Sequence, residues 1–124
     1  MDSKDLYIAW LEEAGRALRE KEAAAERCLG AADYACKYKD FMVEKAEIIK
    51  QLPLGFAMAF PDVDESARAA RERIRESLAE FSQGAANALA LGSTFYMSAL
   101  LYPEDHQPGE PNNLERLVDD LKRK

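Results

Sequence analysis

The chain has 124 residues, with 23 Asp and Glu against 17 Lys and Arg, for a formal charge of −6. That length predicts one domain with a core of its own. The acidic balance excludes nonspecific nucleic-acid binding, which needs a surplus of Lys and Arg to neutralise phosphates, and residues 1–50, 51–103 and 104–124 are each mildly acidic.

Alanine is abundant, with Glu, Lys, Arg and Leu, a composition that favours helix. The opening MDSKDLYIAW has no basic region followed by an apolar run, so it does not read as a secretory signal, and a cytoplasmic location is expected. Ser3 is placed to cap a first helix, with Asp5 in its first turn. An apolar stripe follows through Leu6, Leu11, Ala14, Leu18, Ala25, Cys28 or Leu29, Ala32, Cys36, Phe41, Ile48 and Leu52. Its phase carries through Gly30 and predicts one helix over about 4–51, roughly 70 Å long at 1.5 Å per residue. Gly30 followed by Asp33 marks the place where that helix would otherwise break. On an unbroken helix Cys28 and Cys36 stand about 12 Å apart, beyond the roughly 7 Å reach of a disulfide. Two reduced thiols are therefore expected.

Pro53 ends the predicted helix, since its ring disfavours helical geometry before it and it has no N–H to donate. In the connection at 52–61, Leu54, Phe56, Met58 and Phe60 alternate with small residues. This strip either plugs the end of a bundle or docks a protein partner. Asp62 and Glu65 have capping-box spacing and open a second long helix over about 63–102, with a seam through Ala67, Ala70, Ile74, Leu78, Phe81, Ala85, Ala88, Gly92, Phe95, Ala99 and Tyr102. The segment Gly84 to Tyr102 has no charged residue, which predicts burial on most sides, and Gly84, Ala88 and Gly92 at every fourth position predict a close helix contact. Gln83, Asn87, Ser93, Thr94 and Ser98 dilute its hydrophobicity, and it lacks a basic flank, so a core helix is expected rather than a membrane span. Residues 103–113, with three prolines, predict a loop. Asn112 and Glu115 then repeat the cap pattern before a short helix at 114–123 with one apolar face, Leu114, Leu117, Val118 and Leu121.

No catalytic motif emerges. His106 is the only histidine and has no cysteine beside it, so neither a zinc site nor a Glu-x-x-His di-iron site can be assembled from these spacings. No glycine loop shaped for phosphate occurs, and no metal or cofactor is expected. Glu44 and Glu47, one turn apart, with Glu76 and Glu80 on the next helix, are the one carboxylate set suited to magnesium. The Glu44–Glu47 pair resembles the Glu-x-x-Glu of the all-α nucleotide pyrophosphohydrolases of the MazG type. The matching Glu-x-x-Asp is missing, because Glu80 is followed by Phe81, Ser82 and Gln83. The residue types suited to an apolar pocket with polar groups aimed inward are Tyr34, Tyr38, Asn87 and Tyr96.

These elements predict an all-α fold: a long antiparallel helical hairpin with a short C-terminal helix. Such a hairpin leaves one side of its seam open, so a homodimer completing a four-helix-type bundle is expected. Breaks at Gly30 and Gly84 would instead let one chain build the bundle alone. The expected role is association, with a second copy or with an unknown protein partner. A small-ligand site in the bundle interior is the alternative.

Overall fold

A computed structural model describes residues 2–30 and 37–123. Among them are five α-helices and no strand: α1 (Ser3–Gly30), α2 (Tyr38–Ala59), α3 (Arg68–Leu91), α4 (Thr94–Ala99) and α5 (Asn113–Arg123), with a 3-10 turn at Glu65–Ala67 ahead of α3. The all-helical class matches the sequence reading. α2 lies at the centre, packed against α1 on one side and α3 on the other, while α4 closes over α2 and α3 and α5 lies mainly on α1.

The single helix expected over 4–51 is corrected to two. α1 ends at Gly30, Lys37 has non-helical φ −104° and ψ 47°, and α2 turns back to pack on α1. A stripe in continuous phase cannot distinguish one helix from two that bury the same kind of face. The true buried positions also shift: α1 buries Tyr7, Ile8, Leu11, Gly15, Leu18 and Ala25, while Leu6 is exposed.

Pro53 lies inside α2 rather than ending it. Proline removes the donor that the Ile49 carbonyl would take and weakens the turn around it. The Ser82 hydroxyl donates to the adjacent Lys50 carbonyl at 2.8 Å, and burial of Leu52 and Phe56 beyond the proline stabilises the continuation. The expected connection at 52–61 is thus helical as far as Ala59. Its four large residues divide by helical period: Phe56 is 1% exposed and Phe60 packs on the core, whereas Leu54 and Met58 point outward. Phe56 and Phe60 meet Tyr7 edge-on at ring distances of 5.2 and 4.9 Å, and Trp10 reaches Phe56 at 5.5 Å. Gly55 makes this crossing close, since a Cβ there would stand 3.2 Å from the Trp10 ring.

The helix expected over 63–102 is also interrupted. Gly92, at φ +63°, ends α3 in the left-handed conformation, and its N–H returns to the carbonyls of Ala88 and Leu89. This is the glycine-terminated helix end that L side chains resist. A Cβ on Gly92 would meet nothing within 4 Å, so the residue serves the turn and not a helix contact. The break falls at Gly92, while Gly84 stays within α3. Ser93 then caps α4 by accepting from the Tyr96 N–H. The uncharged stretch is not buried on most sides, because the turn leaves Leu91, Phe95 and Tyr96 facing outward and brings Met97 inward.

Two N-terminal caps differ by one or two residues from the sequence reading. Asp2, not Ser3, accepts from the Asp5 N–H, and Ser3 instead donates its hydroxyl to Asp64 at 2.7 Å. Asp64, not Asp62, caps the turn before α3 through the Ser66 N–H. The cap of α5 is as read: Asn112 and Glu115 exchange side-chain to backbone hydrogen bonds at 2.8 and 2.9 Å.

Candidate functional site

Among the described residues the buried Lys45 lies where α1, α2 and the chain after α4 meet, while the buried Arg71 sits apart at the start of α3, over the Phe56 ring. Lys45 occupies a core position on α2, in step with Met42, Ile49, Leu52 and Phe56. A buried ammonium must be fully paired to be tolerated. Lys45 Nζ lies 3.1 Å from Glu22 Oε2 on α1, donates to the Ser98 carbonyl at 3.0 Å, and stands 5.0 Å from the centre of the Tyr102 ring. The Tyr102 hydroxyl donates to the same Glu22 oxygen at 2.7 Å and accepts from Arg19 Nη1 at 3.0 Å. Arg19 also forks onto Glu115, the capping residue of α5. One network therefore ties α1, α2, the end of α4 and α5 together.

Electrostatics follow from this geometry. Burial pulls the Lys45 ammonium below the usual lysine range, with Glu22 resisting. Burial, then the Glu22 carboxylate beside it, pushes the Tyr102 phenol well above the usual tyrosine range. Burial would raise Glu115, but Arg19 and the Asn112 N–H outweigh it and hold its carboxyl low.

In front of the network lies a cleft of about 800 Å³, walled by Arg19, Glu22, Glu26, Tyr38, Met42, Ser98, Tyr102 and the loop residues His106, Pro108, Gly109 and Glu110. Lys45, 1% exposed, sits behind the wall, while Glu22, 16% exposed, forms part of it. Glu22 Oε1 is buried without a hydrogen-bond partner; Arg19 Nη1, 3.8 Å away, is too distant to donate. His106 packs its ring edge-on against Tyr102 at 4.7 Å, and its Nε2 stands 2.9 Å from the Glu110 carbonyl oxygen.

Of the described residues expected to form an interior pocket, Tyr38, Asn87 and Tyr96, only Tyr38 lines this cleft. Asn87 is exposed on α3, with its amide oxygen accepting from Gln83. Tyr96 is exposed on α4 against Phe95. Tyr34, like Cys36, lies outside the described residues. Cys28 is disulfide-bonded, which corrects the expected reduced thiol. The separation that argued against a disulfide applied to an unbroken helix, and α1 ends two residues later. Glu44 pairs with Lys21 at 3.1 Å, and Glu47, Glu76 and Glu80 are exposed. Among the described residues no three His, Cys, Asp or Glu side chains come together as a metal site.

The sequence reading missed Arg19, Glu22 and Lys45. Lys45 carried a signal, a charge in step with apolar neighbours at the spacing of a buried face. Glu22 and Arg19 had none, because only the α1–α2 packing brings them to it. No protein-family model, curated protein or solved structure matches this chain. No helix among the described residues is long and apolar enough to cross a membrane.

Proposed function

We propose that the protein works by association, first with a second copy of itself, and carries no catalytic step of its own. The observation that supports this reading is the apolar surface around the α3–α4 break, where Leu91 is 69%, Phe95 74% and Tyr96 55% exposed within six consecutive residues. Isolated exposed apolar residues are ordinary, but adjoining large ones mark a contact surface. Phe95 and Tyr96 stack edge-on at 5.7 Å and form a rigid aromatic knob, the side-chain type that anchors interfaces. Leu54 and Met58, one turn apart on the outward side of α2, are a second and smaller apolar strip, which suits a protein partner.

The test is sedimentation equilibrium on the wild type and on a Leu91→Ser, Phe95→Ser double variant. The wild type should show twice the chain mass and the variant the mass of one chain, with unchanged helicity, because neither side chain supports the core of one chain. A wild type that stays at the single-chain mass at high concentration removes the homodimer. A disulfide at Cys28 weighs against the cytoplasmic location expected from the sequence, because a reducing compartment keeps thiols open.

A further inference from the structure

We propose that two copies of the chain exchange their C-terminal segments from Tyr102 onward, so that α5 of each seats on α1 of the other, with the turn at 99–102 as the hinge. The exchange rests on the pairing of two copies proposed for this chain and states how that pair is built. It is carried by a turn formed on a residue that resists it. Leu100 has φ −56° and ψ 134°, Leu101 has φ +74°, and the Tyr102 N–H returns to the Ala99 carbonyl at 3.0 Å. This is a type II turn, whose third position calls for glycine or asparagine. Leucine is strained there, and among the described residues Leu101 is the one non-glycine with positive φ.

Such a position persists where its surroundings hold it. Leu101 is buried, and its carbonyl accepts the Asn113 N–H, at the start of α5, at 2.8 Å. The second contact ties the strain to α5 being seated on its own chain. With α5 released, residues 99–102 can continue the helix of α4, as the seam through Phe95, Ala99 and Tyr102 allows. A strained hinge of this kind invites exchange of segments between copies. The contacts of the segment can all be remade in the pair. Leu114, Leu117, Val118 and Leu121 are buried, and Glu115 meets Arg19, Lys122 meets Glu12, Asp120 meets Arg73 and Tyr102 meets Glu22. Each of these pairs joins a residue after the hinge to one before it and forms equally well between copies, whereas only exchange relieves Leu101. The network of Arg19, Glu22 and Lys45 is then completed by the partner's Tyr102 and the partner's Glu115. Residues 103–112 hold three prolines, which favour extended backbone, and reach about 33 Å when drawn out. The exposed Phe95 and Tyr96 lie just before the hinge, so the exchange is continuous with the apolar contact surface.

The test is isotope-filtered NMR on the full chain, with labelled and unlabelled copies refolded together. A Leu114 methyl lies 3.9 Å from where a Cβ on Gly15 would stand, so contacts between Leu114 methyl and Gly15 α protons report α5 seated on α1. These contacts are expected between copies. A dimer that shows them only within one copy overturns the exchange and leaves self-association standing, and a wild type that stays at the single-chain mass overturns both. Two variants, checked for folding by circular dichroism, test the hinge by sedimentation equilibrium. Leu101→Gly frees the closed turn of strain and should weaken the dimer about tenfold per hinge. Asn113→Pro removes the N–H that Leu101 accepts while suiting the first position of a helix, and should tighten the dimer about fivefold per hinge. Dimer affinities that stay unchanged in both variants, or move in the same direction, overturn the proposal.

Discussion

At the scale of single residues, Lys45 is the most consequential. Its ammonium is tolerated in the core only because Glu22, the Ser98 carbonyl and the Tyr102 ring face it. Lys45→Met should lower unfolding stability by about 3 kcal/mol in urea titrations, because it strands the Glu22 carboxylate. Adding Glu22→Leu should recover much of that loss, since an apolar pair of similar volume replaces the ions. A double variant no more stable than Lys45→Met would show that the pair is not coupled. Tyr102 and Lys45 also make stability depend on pH, in opposite senses. The folded pKa of Tyr102 lies above its unfolded value of 10.0, so its contribution is complete below that pH and is lost as the unfolded chain deprotonates above it. The folded pKa of Lys45 lies below 10.5, so its contribution rises with pH between the folded value and 10.5. The stability difference between wild type and Tyr102→Phe should therefore shrink between about pH 9 and about pH 11; a constant difference would refute the raised phenol.

At the scale of elements, helix ends set the architecture. Asn112 is 1% exposed and both donates to and accepts from Glu115. Asn112→Ala should cost about 1 to 2 kcal/mol, and hydrogen exchange should show α5 protected less than α2. This box was legible because it is local: two residues three apart carry both bonds. The caps at Asp2 and Asp64 were misplaced because several acidic and hydroxyl residues crowd each helix start, and only the chain path selects among them. Gly92 was legible as a special position but not for its reason. Small residues at every fourth position suit a helix contact or a helix end alike, and φ +63° decides for the end. Gly92→Ala should destabilise by about 1 kcal/mol in urea unfolding, the cost of a Cβ in left-handed backbone, with no change in assembly. A dissociated oligomer in that variant would return Gly92 to a contact role. Pro53 was read as a stop, as local sterics require, yet Ser82 and the buried faces of Leu52 and Phe56 carry α2 past it.

At the scale of the whole molecule, α5 closes what the longer helices leave open. Leu114, Leu117, Val118 and Leu121 are all buried, and Arg73 and Lys122 pair across to Asp120 and Glu12 at 2.8 and 3.0 Å. Burial of each such side chain is worth about 1.5 to 3 kcal/mol, whereas the exposed ion pairs add little. A chain ending at Pro111 should therefore bind a hydrophobic dye and melt well below the full chain, and an unchanged melting temperature would show that α5 is not part of the folded unit.

The sequence by itself determined the helical class, the C-terminal helix with its cap, and the α3 seam through Ile74, Leu78, Ala85 and Ala88, because propensity, capping and 3.6-residue periodicity are properties of neighbours along the chain. Where the long helices end, which of Leu54, Phe56, Met58 and Phe60 face inward, and the meeting of Arg19, Glu22, Lys45 and Tyr102 were decided only in the tertiary structure. Those outcomes depend on contacts between residues as many as 83 positions apart, and no local pattern encodes which distant partner will satisfy a buried charge.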